Sequence, residues 1–147
     1  MSRIVTNKSY IVKHKNLNVI NESRSGGVFT ALSDYILEQD GYVYGCIMDN
    51  VRHAVHVKAK NKIERDFMRK SKYIQSDIGT VYLMIKEDLD VGKFVLFSGT
   101  PCQVHGLLMF LNKEYNNLIC VDIVCHGVPS PKIWRDYIQW YEKKYNG

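Results

Sequence analysis

The chain has 147 residues, 46% of them hydrophobic, which suits one globular domain with its own core. Its net charge of +5 comes without any nucleic-acid-binding motif, so the basic excess reads as solvated surface or as attraction for an anionic cofactor or acidic partner. No apolar run approaches the ~20 residues of a membrane span, and Met1–Thr6 lacks the apolar core of a signal peptide. Four cysteines with no CxxC pair among them point to free thiols or metal ligands in a soluble, cytoplasmic protein.

Ser9–Val12 reads as a short strand. Ser25 is placed to cap a helix with Val28, Leu32, Tyr35 and Ile36 on one face. Gly41 would end that helix. Tyr42–Met48 reads as a buried strand, and the alternation from His53 to Ala59 as its antiparallel neighbour. A short helix from Ile63 to Met68 leads into the polar loop Ser71–Asp77. Val81, Met84, Ile85 and Leu89 recur at helical spacing over Thr80–Asp88. Strand Lys93–Ser98, helix Gln103–Asn112 and strand Leu118–Val124 follow. A last helix opens at Ser130, with Pro131 in its first turn, and runs to Tyr145. The expected fold is α/β: a layered, mixed but largely parallel sheet flanked by helices.

Ligands in open α/β sheets sit beyond the carboxyl ends of the strands. Two cysteines are delivered there, Cys102 in Ser98-Gly99-Thr100-Pro101-Cys102-Gln103 and Cys125 in Cys125-His126-Gly127-Val128-Pro129. Proline in a first helical turn puts Cys102 near a helix N-terminus, where backbone N–H groups favour a thiolate. A thiolate serves nucleophilic catalysis and iron ligation alike, and a buried structural cysteine is an equal reading. His126 could orient a ligand, act as an acid or cap the next helix. Asp122 alternates toward the site side of its strand, where it is expected to be buried near Cys125. Cys46 and Cys120 lie inside apolar strands and read as core residues. Ser23-Arg24-Ser25-Gly26-Gly27 before a helix is either an anion cradle or an ordinary helix cap. Ser71-Lys72-Tyr73-Ile74-Gln75-Ser76 offers a cation, hydroxyls, an amide and an aromatic face, fit for a pyrophosphate and a stacked ring or for solvent.

In this order Ser25–Leu32, Ser71–Ser76, Phe97–Gln103 and Asp122–Pro131 resemble the coenzyme F420 hydrogenase/dehydrogenase beta-subunit family, over nearly the whole chain. The resemblance implies a flavoprotein oxidoreductase. It would pass electrons between a [4Fe-4S] cluster, FAD and a redox partner protein, ferredoxin-like domain or small-molecule acceptor, coenzyme F420 in some members. It implies Cys102 and Cys125 as cluster ligands. It implies Ser25, Gly26, Gly27, Ser71, Lys72, Tyr73, Gln75, Ser76 and Thr100 on the cofactor side. The family's N-terminal ferredoxin-like cysteine segment and its further C-terminal cysteine pair have no counterpart here. Residues 1–147 therefore read as a single α/β domain cut from a longer chain, without an intact cluster, holding FAD weakly or not at all, and inactive alone. Its uncovered sheet makes a homodimer an expectation.

Two other readings stand beside this one. In the first, a cysteine-nucleophile transferase uses Cys102 with His105 or His126 as base. In the second, the chain is a non-catalytic interaction domain.

Overall fold

The computed structural model describes residues 9–145, so the Met1–Thr6 segment weighed above as a signal peptide lies outside the described residues. Four strands form one sheet in the order β2-β1-β3-β4. They are β1 (Tyr42–Asn50), β2 (His53–Ala59), β3 (Val95–Gly99) and β4 (Leu118–Asp122). β1 and β2 make an antiparallel hairpin, whereas β1–β3 and β3–β4 are parallel. This is the expected α/β sheet, mostly parallel with one antiparallel pair.

Alternation along the strands divides the core between two faces. Tyr44, Val95 and Phe97 pack under α4 (Val81–Asp90) and α5 (Pro101–Leu111), through Val81, Ile85, Leu89, Val104 and Leu107. Val43, Leu96 and Ala59 point the other way, to Ile36 of α2 (Val28–Leu37) and to Met68 just past α3 (Lys62–Asp66). The last helix, α6 (Pro131–Tyr145), has no buried residue. It touches the hairpin through Trp134 Nε1, which donates to the Val51 carbonyl at 2.9 Å, and through Arg52 paired with Glu142. No helix among the described residues is long and apolar enough to cross a membrane.

The structure corrects four local expectations. Ser9–Val12 is exposed, unpaired chain and not a strand. A short helix, α1 (Leu17–Ser23), follows instead, capped by Asn16 Oδ1, which accepts the Asn18 N–H at 2.9 Å. Gly27, with φ 75°, occupies the N-cap of α2 in place of Ser25. That helix is rotated from the apolar stripe: Val28 and Tyr35 are exposed, while Thr30, Ser33 and Ile36 are buried. Small residues allow the close approach, and the Ser33 hydroxyl donates back to the Phe29 carbonyl. Finally, Asp40, not Gly41, adopts the left-handed conformation after α2. Glycine is needed at 41 for space, because a Cβ there would lie 2.6 Å from the Phe94 carbonyl oxygen.

α2 and α3 are joined by a buried cation. Arg65, 1% exposed, donates from Nη1 to the Thr30 carbonyl at 2.9 Å and from Nε to Asp66 Oδ1 at 2.9 Å. Its Nη2 lies 2.8 Å from Asp34 Oδ1. Arg69 repeats the link, from Nε to Thr30 Oγ1 at 3.2 Å and from Nη2 to Asp66 at 2.9 Å. Arg65→Met keeps the aliphatic stem and removes the guanidinium. It is expected to lower the unfolding free energy by about 2–3 kcal/mol, below the ~3–5 kcal/mol of a fully enclosed pair, because both carboxylates retain water. Urea unfolding followed by circular dichroism measures the loss.

Candidate functional site

The parallel register sets the two cysteine loops side by side. Gly99 pairs with Asp122, and each cysteine lies three residues past its member of that pair. The Ile123 N–H then donates to the Gly99 carbonyl at 3.0 Å, so the strands stay joined as they leave the sheet. Beyond Gly99 the chain turns at once into α5, with Thr100 as N-cap and Pro101 and Cys102 in the first turn. Beyond Asp122 it runs irregularly to α6, through Gly127 at φ 113°.

Both sulfurs are exposed and free. Cys102 Sγ lies 3.1 Å from Thr100 Oγ1, and Cys125 Sγ accepts the Gly127 N–H at 3.4 Å. Neither contact is with His105 or His126, and both histidines are exposed. Among the described residues no three histidines, cysteines or carboxylates gather as a metal site. Asp122 is exposed at the end of β4, correcting the expectation of a buried carboxylate beside Cys125. Cys46 and Cys120 are half-buried in strands. Burial, helped by the Asp122 charge, pushes the Cys120 thiol up to about 11. Burial also raises the Cys46 thiol, against the opposing influence of Lys72 and a Ser76 hydrogen bond.

The Ser71–Ser76 segment belongs to a strap that leaves α3, crosses the carboxyl edge of the sheet and reaches the outer side of β2. There Asp77 exchanges backbone hydrogen bonds with Ala54 and His56, both at 2.8 Å. The Lys72 ammonium is turned into the strap and donates to the carbonyls of Arg69, Lys70 and Phe67 at 2.7, 3.1 and 3.1 Å. Its three N–H donors are thereby taken, and burial lowers its pKa. Ser71, Tyr73 and Gln75 are exposed, whereas Ile74 is buried as the strap's anchor. Ser76 Oγ accepts the Gln103 Nε2 hydrogen at 2.8 Å. Between strap, β1 and α6 lies a groove of about 450 Å³. Ile47, Met48, Phe67, Tyr73 and Trp134 give it apolar and aromatic walls, and Arg69 and Lys70 stand on its rim.

The Ser25-Gly26-Gly27 turn packs on the chain itself. Gly26 accepts the His14 N–H at 2.7 Å, and a Cβ at 26 would lie 2.6 Å from the Val12 oxygen. A Cβ at 27 would stand 3.0 Å from that of His14. The turn reaches the groove through one link, Thr30 in the first turn of α2 to Arg69.

Two residues at this edge were given no role by the sequence reading. Gln103 stands inside a motif quoted whole. His56 pairs across the hairpin with Cys46, and the alternation of His53–Ala59 sets it with Lys58 on the face opposite Val55, Val57 and Ala59, so its burial could not be read from the pattern. Its ring is buried beside Phe97 at 5.5 Å between centroids, and Nε2 lies 3.2 Å from the Ser98 carbonyl oxygen. Nδ1 is buried without a partner.

Comparison with known proteins bears on the family resemblance. Residues 92–146, a little over a third of the chain, match the family model that describes the C terminus of the coenzyme F420 hydrogenase/dehydrogenase beta subunit. Both cysteine motifs lie within that stretch, and the Ser25 and Ser71 motifs lie before it. The fold is shared with a chain in a structure of the F420-reducing [NiFe] hydrogenase complex from Methanosarcina barkeri, derivatized with xenon. The TM-score is 0.66 at 20% identity, over 88% of this chain and 49% of that one. This chain therefore spans about half the length of its structural relative. No curated protein matches the sequence.

His56 predicts a pH dependence. Burial, opposed in part by the Ser98 contact and aided by the nearby Lys72 charge, holds its pKa below the ordinary 6.5. Above 6.5 the ring is neutral in both folded and unfolded chains and contributes nothing. Below it the unfolded chain binds the proton more readily, so stability falls as the pH drops from 6.5 toward the depressed folded value. Thermal unfolding midpoints from pH 8 to 5 should show this decline, and His56→Gln should flatten it.

Proposed function

We propose that the protein is a flavin-binding portion of an F420 hydrogenase beta-subunit-like oxidoreductase, with the isoalloxazine or adenine ring of FAD in the groove beside the strap. The observation that carries this reading is the groove itself. At about 450 Å³ it lies within the usual ~300–1,000 Å³ of small-molecule sites. It lies along β1 past the residues that pair in parallel with β3, toward the carboxyl end where such folds place ligands. FAD, when bound, supplies hydride and single-electron chemistry.

The chain's own residues do the holding. Tyr73 and Trp134 offer ring faces to a planar ligand. Arg69 and Lys70 offset phosphate charge from the rim. Lys72 is committed to three carbonyls and keeps the strap in shape; Arg69 is held by Thr30 and Asp66 through Nε and Nη2, leaving Nη1, so that group and Lys70, paired only loosely with Glu22 at 3.8 Å, are the cations for the ligand. Met48, Ile47 and Phe67 keep water from one side of the ring.

The residues present do not by themselves fit a [4Fe-4S] cluster, which takes four thiolates. Cys102 and Cys125 are two exposed thiols on adjacent loops, suited to be part of such a set. A redox partner, a small-molecule acceptor such as F420 and a reducing, cytoplasmic setting are in keeping with four free cysteines and this family.

The test is the absorbance spectrum of the full-length protein, purified anaerobically and reconstituted with FAD and iron-sulfide. Flavin bands are expected. Tyr73→Ala and Trp134→Ala should each raise the Kd for FAD about three- to tenfold, the worth of one aromatic stacking contact. Cys102→Ala or Cys125→Ala should leave the flavin bands and remove iron absorbance. A protein that stays colourless with FAD overturns the flavin reading.

A further inference from the structure

The strap and the Cys102 turn are joined by a run of polar contacts, and Gln103 is its centre. Gln103 Nε2 donates to Ser76 Oγ at 2.8 Å, on the strap. Its Oε1 accepts the Thr100 N–H at 3.0 Å, at the N-cap of α5. Thr100 Oγ1 in turn lies 3.1 Å from Cys102 Sγ. Ser76, Gln103, Thr100 and Cys102 thus form one chain of contacts across the carboxyl edge.

An amide is the side chain suited to the centre of such a chain, since it donates at one end and accepts at the other. The same side chain closes the capping box that starts α5, its Oε1 taking the N-cap N–H, while Pro101 at the first helical position and the Tyr82 hydroxyl, which donates to the Gln103 backbone carbonyl at 2.7 Å, hold the turn beside it. The group that fixes the Cys102 turn is thus also the group that grips the strap.

We propose that Gln103 is a positioning residue that couples the strap to the Cys102 turn, so that a ligand moving the strap changes the reactivity of the Cys102 sulfur. The identity of that ligand rests on the flavin reading, but the coupling does not, because both bonds are present in the chain alone.

The test needs no cofactor. The full chain is treated with iodoacetamide at neutral pH, and alkylation of Cys102 is followed by peptide mass spectrometry. Ser76→Ala is made in three backgrounds: wild type, Gln103→Leu and Gln103→Glu. Leucine removes both bonds. Glutamate keeps both, because the Ser76 hydroxyl can donate to one carboxylate oxygen and the Thr100 N–H to the other. Ser76→Ala is expected to change the Cys102 rate about two- to tenfold in wild type, the reach of one neutral hydrogen bond. It should do so again with glutamate and have no effect with leucine. Any effect of Ser76→Ala that does not pass through Gln103 is common to all three backgrounds and cancels. Thermal unfolding of each variant checks that it is folded, and Gln103→Glu serves where Gln103→Leu is not. An equal effect in the leucine and wild-type backgrounds, or none in wild type, overturns the coupling. So does an effect that leucine removes and glutamate fails to restore. Failure of the wild-type chain to bind FAD would remove the flavin reading and leave this measurement intact.

Discussion

A guanidinium group sits almost without water in the seam between α2 and α3, and the carboxyl edge of the sheet depends on it. Arg65 donates there to the Thr30 carbonyl and to Asp66 and pairs by charge with Asp34, so three oxygens surround it. A buried ion pair often does little more than recover its desolvation cost. What this one adds is geometry. The rigid fork of donors meets those three oxygens only when α3 lies at one place along α2. The strap that forms the groove wall begins at the end of α3, so its starting point is fixed with the helix. Arg69, on the strap itself, is tied to the same Thr30 and Asp66.

From that start the strap is shaped by polar contacts more than by apolar burial. Lys72 gathers three carbonyls around one ammonium, Asp77 is laced to the outer edge of β2, and Ser76 is held by Gln103. Ile74 and Met68 are its main buried side chains. A segment held this way can shift by exchanging hydrogen bonds without opening the core, as a ligand-binding wall requires. Its exposed Tyr73 and partly buried anchors are consistent with that division.

The sheet was readable in the sequence because its strands alternate or run continuously apolar and are bounded by turn residues. Pro131 marked α6, and Pro101 placed Cys102 in the first turn of α5. The start of α2 was not readable. Ser25 has the chemistry of a cap, but close packing of residues 12–19 over Gly26 and Gly27 moves the helix start to 27. The buried face of α2 was missed because Thr30 and Ser33 are polar by type and buried for their small size and local bonds. Gln103 was invisible as a link because one partner lies three residues before it and the other 27 residues before it. Only the folded strap brings Ser76 to it.

The two cysteine loops show how far register alone carries a site. Equal spacing past the Gly99–Asp122 pair puts Cys102 and Cys125 on neighbouring turns at the same level of the sheet. Register says nothing of their mobility. Cys102 is in a helical turn held by Pro101, Thr100 and Gln103, whereas Cys125 stands in an irregular loop whose neighbours Val124 and His126 are exposed. A rigid thiol beside a pliant one is a workable start for a site completed by other ligands, since the pliant loop can adapt to what arrives. The same asymmetry makes Cys102 the sulfur through which the strap can be felt, because among the described residues it alone of the two is linked back to the strap, through Thr100 and Gln103.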